Sequence, residues 1–224
     1  MSQVKLVLYV EGSTDGKFLP QVIKRTTEAI LAQHDQNHIK VPLPDCLWEK
    51  PAKAAKRVEC ILHIARHTAG YDALIIHSDG DDRGYEQTMT ELFQPGKNHV
   101  LSASMYENVC VDLVPLIPVR MTEAWMLADP EALCRVLGKK VDARTLGIPL
   151  KAKLVEKAFN PKTTLDHVIK CAHPSTSKSQ RQKFKDHLYQ ELGSKISLKR
   201  LSEVPSYQQF VEDLTATLRR LNFM

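Results

Sequence analysis

The sequence predicts an α/β fold, a largely parallel sheet with flanking helices, plus a helical C-terminal part. Three observations carry this. Apolar, β-branched runs at Val4–Val10 and Tyr71–Ser78 are each followed by an acidic turn, Glu11-Gly12-Ser13-Thr14-Asp15 and Asp79-Gly80-Asp81-Asp82. Segments of helical periodicity separate the apolar runs, the alternation that a parallel sheet requires. From Met121 onward the pattern is helical almost throughout.

Val4–Val10 alternates too little for a strand wet on one face, so it is expected as a buried central strand. Gly12 permits a sharp turn, and Ser13 or Thr14 can cap a helix running to about Gln33. Its inward residues are Phe18, Leu19, Val22, Ile23, Ile30 and Leu31, and Pro20 falls in its first turns, where proline disrupts least. Residues 34–50 are polar and proline-containing, a loop with a short strand near Ile39–Val41. Lys53–Thr68 repeats Ala54, Val58, Ile61, Leu62 and Ala65 at helical spacing and ends at Gly70.

Tyr71–Ser78 is the next strand and delivers Asp79; Glu86–Phe93 reads as a short helix. Two further apolar runs follow, His99–Ser102 and Val109–Val119, the second demoted toward an edge by Pro115 and Pro118. Further helices are expected at Thr122–Leu127, Pro130–Leu137, Leu150–Ala158, Thr164–Cys171, Lys178–Leu192 and Ser206–Leu221. The expected division is a catalytic sheet domain over 1–135 and a basic helical region over 136–224.

Composition narrows the class. With 43% hydrophobic and 25% charged residues the chain reads as an ordinary soluble protein. It has no apolar run near the ~20 residues that span a bilayer, and its first residues lack a signal-peptide layout. Cys46, Cys60, Cys110, Cys134 and Cys171 are odd in number and without CxxC spacing, which fits reduced cytoplasmic thiols better than disulfides or zinc. Residues 1–130 carry 13 Lys+Arg against 17 Asp+Glu; residues 131–224 carry 18 against 9. An acidic half beside a basic half suits an enzyme of nucleic acid, and equally a solvated Lys-rich helical surface.

The acidic turns carry the chemistry. Glu11 and Asp15 stand four apart across a strand-to-helix turn, where the helix dipole favours an acid. Asp79 and Asp81 alternate around Gly80 and can point the same way on an extended segment. Carboxylates converging in this way repel unless cations bind between them, and hard oxygen ligands suit Mg²⁺ or Mn²⁺. Glu123, in the first turn of a helix that Thr122 can cap, is a further candidate ligand, with Arg120 placed to meet phosphate. Lys162, Lys178 and Arg181 are candidate backbone contacts for a nucleic-acid substrate. His77 is two residues before Asp79 and is expected to support a ligand. His63 and His67 read as helix-surface residues.

Val10-Glu11-Gly12 and Asp79-Gly80-Asp81 resemble the acidic motifs of TOPRIM domains, the Mg²⁺-binding module of topoisomerases, primases and OLD-family nucleases. Val10-Glu11-Gly12-Ser13-Thr14-Asp15 with Phe18-Leu19 is more similar to the OLD type. The stretch from Arg120 to Asp129 resembles a bacterial TOPRIM-like family often encoded beside ATPases in phage-defence loci. The resemblance covers roughly residues 4–135. It implies a TOPRIM-like (Rossmann-like) fold, Glu11, Asp79 and Asp81 as catalytic metal ligands with Asp15 and Glu123 beside them, and a Mg²⁺-dependent nuclease acting on DNA or RNA. The TOPRIM pattern's third aspartate is replaced here by Arg83.

No Gly-x-x-x-x-Gly-Lys-Ser/Thr is present, so any ATPase is a separate partner subunit, and homo-oligomers are allowed. The alternatives are a regulatory or toxin subunit active only within an ATPase complex, or a phosphatase of the haloacid-dehalogenase type. The latter normally carries its Asp-x-Asp after the first strand, not this late. The hydrolytic expectation requires Glu11 to meet Asp79 and Asp81 without lysine or arginine already neutralising them.

Overall fold

The computed structural model describes residues 2–48, 57–138, 147–157, 160–173 and 177–224. Four strands pair in parallel in the order β2-β1-β3-β4: β1 (Leu6–Tyr9), β2 (Asp45–Leu47), β3 (Ala73–His77) and β4 (Leu113–Leu116). Val7 pairs with Asp45 on one side and Leu74 on the other, and Leu74 pairs in turn with Leu113. The fold is α/β and Rossmann-like, with a helical C-terminal part. From β1 the chain first moves to β2 on one side and then returns to β3 on the other. This reversal opens a crevice at the carboxyl ends of β1 and β3.

β1 and β3 are buried along their whole length, as apolar runs without alternation require. One sheet face carries Leu6, Leu8, Ala73, Ile75, Val114 and Leu116; the other carries Val7, Tyr9, Leu74, Ile76 and Leu113. α1 (Asp15–Gln33) covers the first face through Phe18, Leu19, Val22 and Ile23, with Pro20 inside the helix. α2 (Arg57–His67) covers the second through Ile61, Ile64 and Ala65. The expected helix residues 53–56 lie outside the described residues.

Two expected strands are corrected. The second strand lies at 45–47, not 39–41, where only an isolated parallel bridge joins Gln3 to Lys40. His99–Ser102 is helical. After β3 a helical stretch runs through α3 (Gly84–Thr88), a π-helical turn (Met89–Phe93) and α4 (Gln94–Ala103). Pro95 explains the wide turn, because it lacks the N–H that would bond to Glu91 and its ring would press on that carbonyl. Pro115 sits in β4, an edge strand, where a missing donor can face away from the sheet.

Then follow α5 (Glu123–Met126), α6 (Pro130–Leu137), a 3₁₀ segment (Ala152–Lys157), α7 (Pro161–Ala172), α8 (Lys178–Lys195), α9 (Leu198–Leu201) and α10 (Pro205–Arg220). α7 starts on Asn160, whose side chain accepts from Thr163 N at 2.9 Å. The C-terminal helices share the sheet's core: Leu188, Leu192, Leu214 and Leu218 belong to the same buried cluster as Leu8 and Phe18. α8 lies so close on α1 that a Cβ on Gly193 would stand 2.5 Å from the Phe18 carbonyl oxygen. Among the described residues no helix is long and apolar enough to cross a membrane.

Candidate functional site

β1 ends two residues before Glu11, and Asp15 is the first residue of α1. A Cβ at Gly12 would lie 2.7 Å from Asp15 Oδ2, so a larger residue between them would push that carboxylate aside. β3 ends at His77 and hands the chain to Ser78 and Asp79. β4 is followed by Thr122 and by Glu123, the first residue of α5. The three strand ends are laced together. Ser78 Oγ donates to Glu11 Oε1 at 3.1 Å, and Thr122 N donates to Asp79 Oδ1 at 3.2 Å. His77 Nε2 lies 3.0 Å from Thr122 Oγ1 and 3.4 Å from Asp79 Oδ1.

Asp15 and Glu123 are only 8% and 7% exposed. Burial is the main force raising the pKa of Glu11, Asp15 and Glu123, and Asp79 adds to it at all three. Asp15 and Glu123 also repel each other. Against these carboxylates stand Arg57 at Glu11, Lys162 at Glu123 and His77 at Glu11 and Asp15. Burial pulls the His77 pKa down, but its bond to Asp79 and the charges of Asp15, Asp79 and Glu11 outweigh it and raise it. His77 Nδ1 is buried with no hydrogen-bond partner. Tyr189 of α8 donates to Glu123 Oε1 at 3.3 Å, and burial with Glu123's charge pushes its hydroxyl pKa up.

Asp79 is thus within electrostatic reach of Glu11, Asp15 and Glu123, and Asp15 of Glu123. Asp81 behaves differently from the extended alternation expected for it. Its φ is +47°, its side chain is 59% exposed, and it lies 3.6 Å from Arg83. The physical reason is a tight turn: Asp81 N bonds to Arg120 O at 2.9 Å in an antiparallel bridge, which bends the chain after Gly80. Arg120, at φ +66°, holds Asp82 at 3.0 Å. Lys162 is in the first turn of α7 and acts on Glu123. α8 opens on a Ser177–Gln180 capping box, while the Lys178 and Arg181 side chains lie outside the described residues.

The donor set, the buried carboxylates of Asp15 and Glu123 beside the half-buried ones of Glu11 and Asp79, has the hard-oxygen chemistry of a dication site. The arrangement is not closed: among the described residues no three His, Cys, Asp or Glu side chains gather as a metal shell would. Arg57, the first residue of α2, holds Glu11 Oε2 at 2.5 Å and Arg83 lies 3.6 Å from Asp81, so the expectation that no arginine neutralises these carboxylates is not met. Sequence reasoning missed Arg57 and Tyr189. Neither stands in a motif, and their partners are 46 and 66 residues away.

Fold and site together define an α/β protein with a parallel sheet whose carboxyl edge carries a buried acidic centre. The chain belongs to the family described as Domain of unknown function (DUF4276), whose sequence model matches residues 10–215. No curated protein and no solved structure matches it.

Proposed function

We propose that the chain is a TOPRIM-like, divalent-metal-dependent phosphodiesterase that cleaves DNA or RNA. The observation that carries the reading is the set of four carboxylates at the β1/β3 crevice, Asp15 and Glu123 buried and Glu11 and Asp79 half-buried, with the charge of Asp79 acting on the other three. Buried carboxylates in mutual repulsion are unfavourable without added positive charge, and a bound Mg²⁺ or Mn²⁺ would supply it. Such an ion polarises a phosphoryl oxygen and lowers the pKa of water.

The chain's own groups do the rest. Thr122 N and His77 fix the Asp79 carboxylate, and Tyr189 fixes Glu123. Asp81, exposed and 3.6 Å from Arg83, stands apart from this set, so the proposed ligands are Glu11, Asp15, Asp79 and Glu123. Arg120 takes a flanking phosphate from the sheet half, and Lys162, Lys178 and Arg181 do so within a C-terminal region whose basic excess draws a polyanion. The test is cleavage of plasmid, single-stranded DNA and tRNA with Mg²⁺ or Mn²⁺. Asp79→Ala is expected to abolish it with the fold intact; metal-dependent cleavage retained in that variant overturns the reading.

The Glu11–Arg57 pair favours a second reading, a regulatory or toxin subunit held inactive until an ATPase partner rearranges the site. Cleavage that appears only after the ATPase is added would select it.

A further inference from the structure

We infer that Arg57 is a latch on this centre: it holds Glu11 while the metal is absent, and the phosphate backbone of the substrate takes it once the metal claims Glu11. The inference rests on the metal-dependent reading above and adds to it a residue and an order of events.

Both oxygens of Glu11 are engaged as the protein stands. Ser78 Oγ donates to Oε1 at 3.1 Å, and Arg57 Nη2 reaches Oε2 at 2.5 Å. A cation needing Glu11 must displace one of them, and the serine hydroxyl can bond a carboxylate that also binds metal. The guanidinium is the contact the ion weakens, because its charge opposes the ion's. Its departure is cheap, since the Arg57 and Glu11 side chains are 45% and 29% exposed and such pairs contribute little.

There is room for Arg57 to move. A cavity of about 250 Å³ has Glu11 and Arg57 on its wall, with Tyr9, Cys60, Ile61 and Leu92 behind them. Released from Glu11, the guanidinium lies beside the acidic centre with its fork of donors free. That fork matches two oxygens of one phosphate. A phosphodiester brought to the metal also brings the anion that replaces Glu11 as the partner of Arg57. Metal and substrate binding are then coupled through one side chain.

The experiment titrates Mn²⁺ by calorimetry into the wild type, Arg57→Ala, Arg57→Lys and Asp79→Ala. It also measures the anisotropy of a short fluorescein-labelled single-stranded DNA in Ca²⁺. Arg57→Ala is expected to bind Mn²⁺ about two- to fivefold tighter, the range a half-exposed ion pair supports. It is expected to bind the DNA about tenfold more weakly, the loss of one charge-assisted contact. Arg57→Lys keeps the charge without the fork, so its Mn²⁺ affinity stays near wild type while its DNA affinity falls.

Equal Mn²⁺ affinity in wild type and Arg57→Ala, with binding lost in Asp79→Ala, overturns the latch and leaves the metal centre standing. Tighter Mn²⁺ binding with unchanged DNA affinity overturns the phosphate role. No Mn²⁺ binding by either wild type or Arg57→Ala overturns both the latch and the metal centre.

Discussion

The Tyr189 hydroxyl donates to Glu123 Oε1 at 3.3 Å, so the basic C-terminal region reaches into the acidic centre built by the sheet. The contact is buried, and Glu123 is otherwise surrounded by the charges of Asp15 and Asp79. Tyr189→Phe keeps the ring and removes the donor. It is expected to lower stability by about 1.5–3 kcal/mol, the value of a hydrogen bond to a charged acceptor. Urea unfolding measures this, with an unchanged m-value showing that only the bond was lost.

The same reach ties the two halves together. α10 packs on β4 and α8 on α1, within the cluster that holds Leu8 and Val10, and Arg25 of α1 donates to Gly193 O at 3.0 Å. A chain ending at residue 135 loses Leu188, Leu192, Leu214 and Leu218 from that cluster. It is expected not to unfold cooperatively and to bind a hydrophobic dye such as ANS. A sharp two-state transition of residues 1–135 would show instead that the sheet half has a core of its own.

What the sequence revealed of this arrangement was its local part. Glu11, Asp15 and Asp79 were legible because each follows a continuous apolar run by one to five residues, a relationship that short-range pattern contains. β2 was misplaced because Asp45-Cys46-Leu47 is a three-residue edge strand, half exposed and without a hydrophobic repeat. The helix through His99–Ser102 was hidden because Pro95 interrupts it and the π turn shifts the phase of its repeat. Asp81 was expected to extend, and nothing short of the Arg120 bridge reveals that it turns. Arg57 and Tyr189 meet the site only through the tertiary fold.

Acidification toward the ordinary carboxylate range is expected to stabilise the metal-free protein. Glu11, Asp15 and Glu123 have folded-state pKa values above their unfolded ones, chiefly through burial. An acid shifted upward binds protons more readily when folded, so its contribution declines as pH rises from the unfolded value through the folded one. His77 is also raised, so its contribution is complete below its unfolded pKa and is lost as pH rises through the folded one. The signs agree. Glu107 and Glu191, held down by Arg66 and Lys195, act oppositely, but only at or below the ordinary carboxylate range. Melting temperatures in EDTA should therefore rise as pH falls, and saturating Mg²⁺ should flatten the slope. Asp15→Asn should raise the EDTA stability at pH 8 by about 0.5–2 kcal/mol while weakening Mg²⁺ binding, the usual trade at a functional charge. A slope unaffected by Mg²⁺ would count against a cation among these groups.

The helix that presents Glu123 is held by a second buried network. Trp125, two residues on, donates its indole N–H to Ser206 Oγ at 2.8 Å, and that hydroxyl donates to Glu156. Trp125 is fully buried, with the Tyr207 ring edge-on at 5.3 Å. Burial raises the Glu156 pKa, against the bonds it receives from Ser206. Ser206→Ala removes the hydroxyl that joins the two. The indole N–H then loses its Ser206 acceptor and Glu156 loses the hydroxyl donor, while the indole's bond to Glu156 remains. The expected loss is about 0.5–1.5 kcal/mol, the value of a typical hydrogen bond. Glu156→Gln, which keeps an acceptor for Ser206 and removes the buried charge, is expected to lose less. Urea unfolding of both variants, followed by tryptophan fluorescence, separates the outcomes. If Glu156→Gln were the more damaging, the charge of Glu156 rather than the hydroxyl bridge would be what anchors α5, and with it the placement of Glu123.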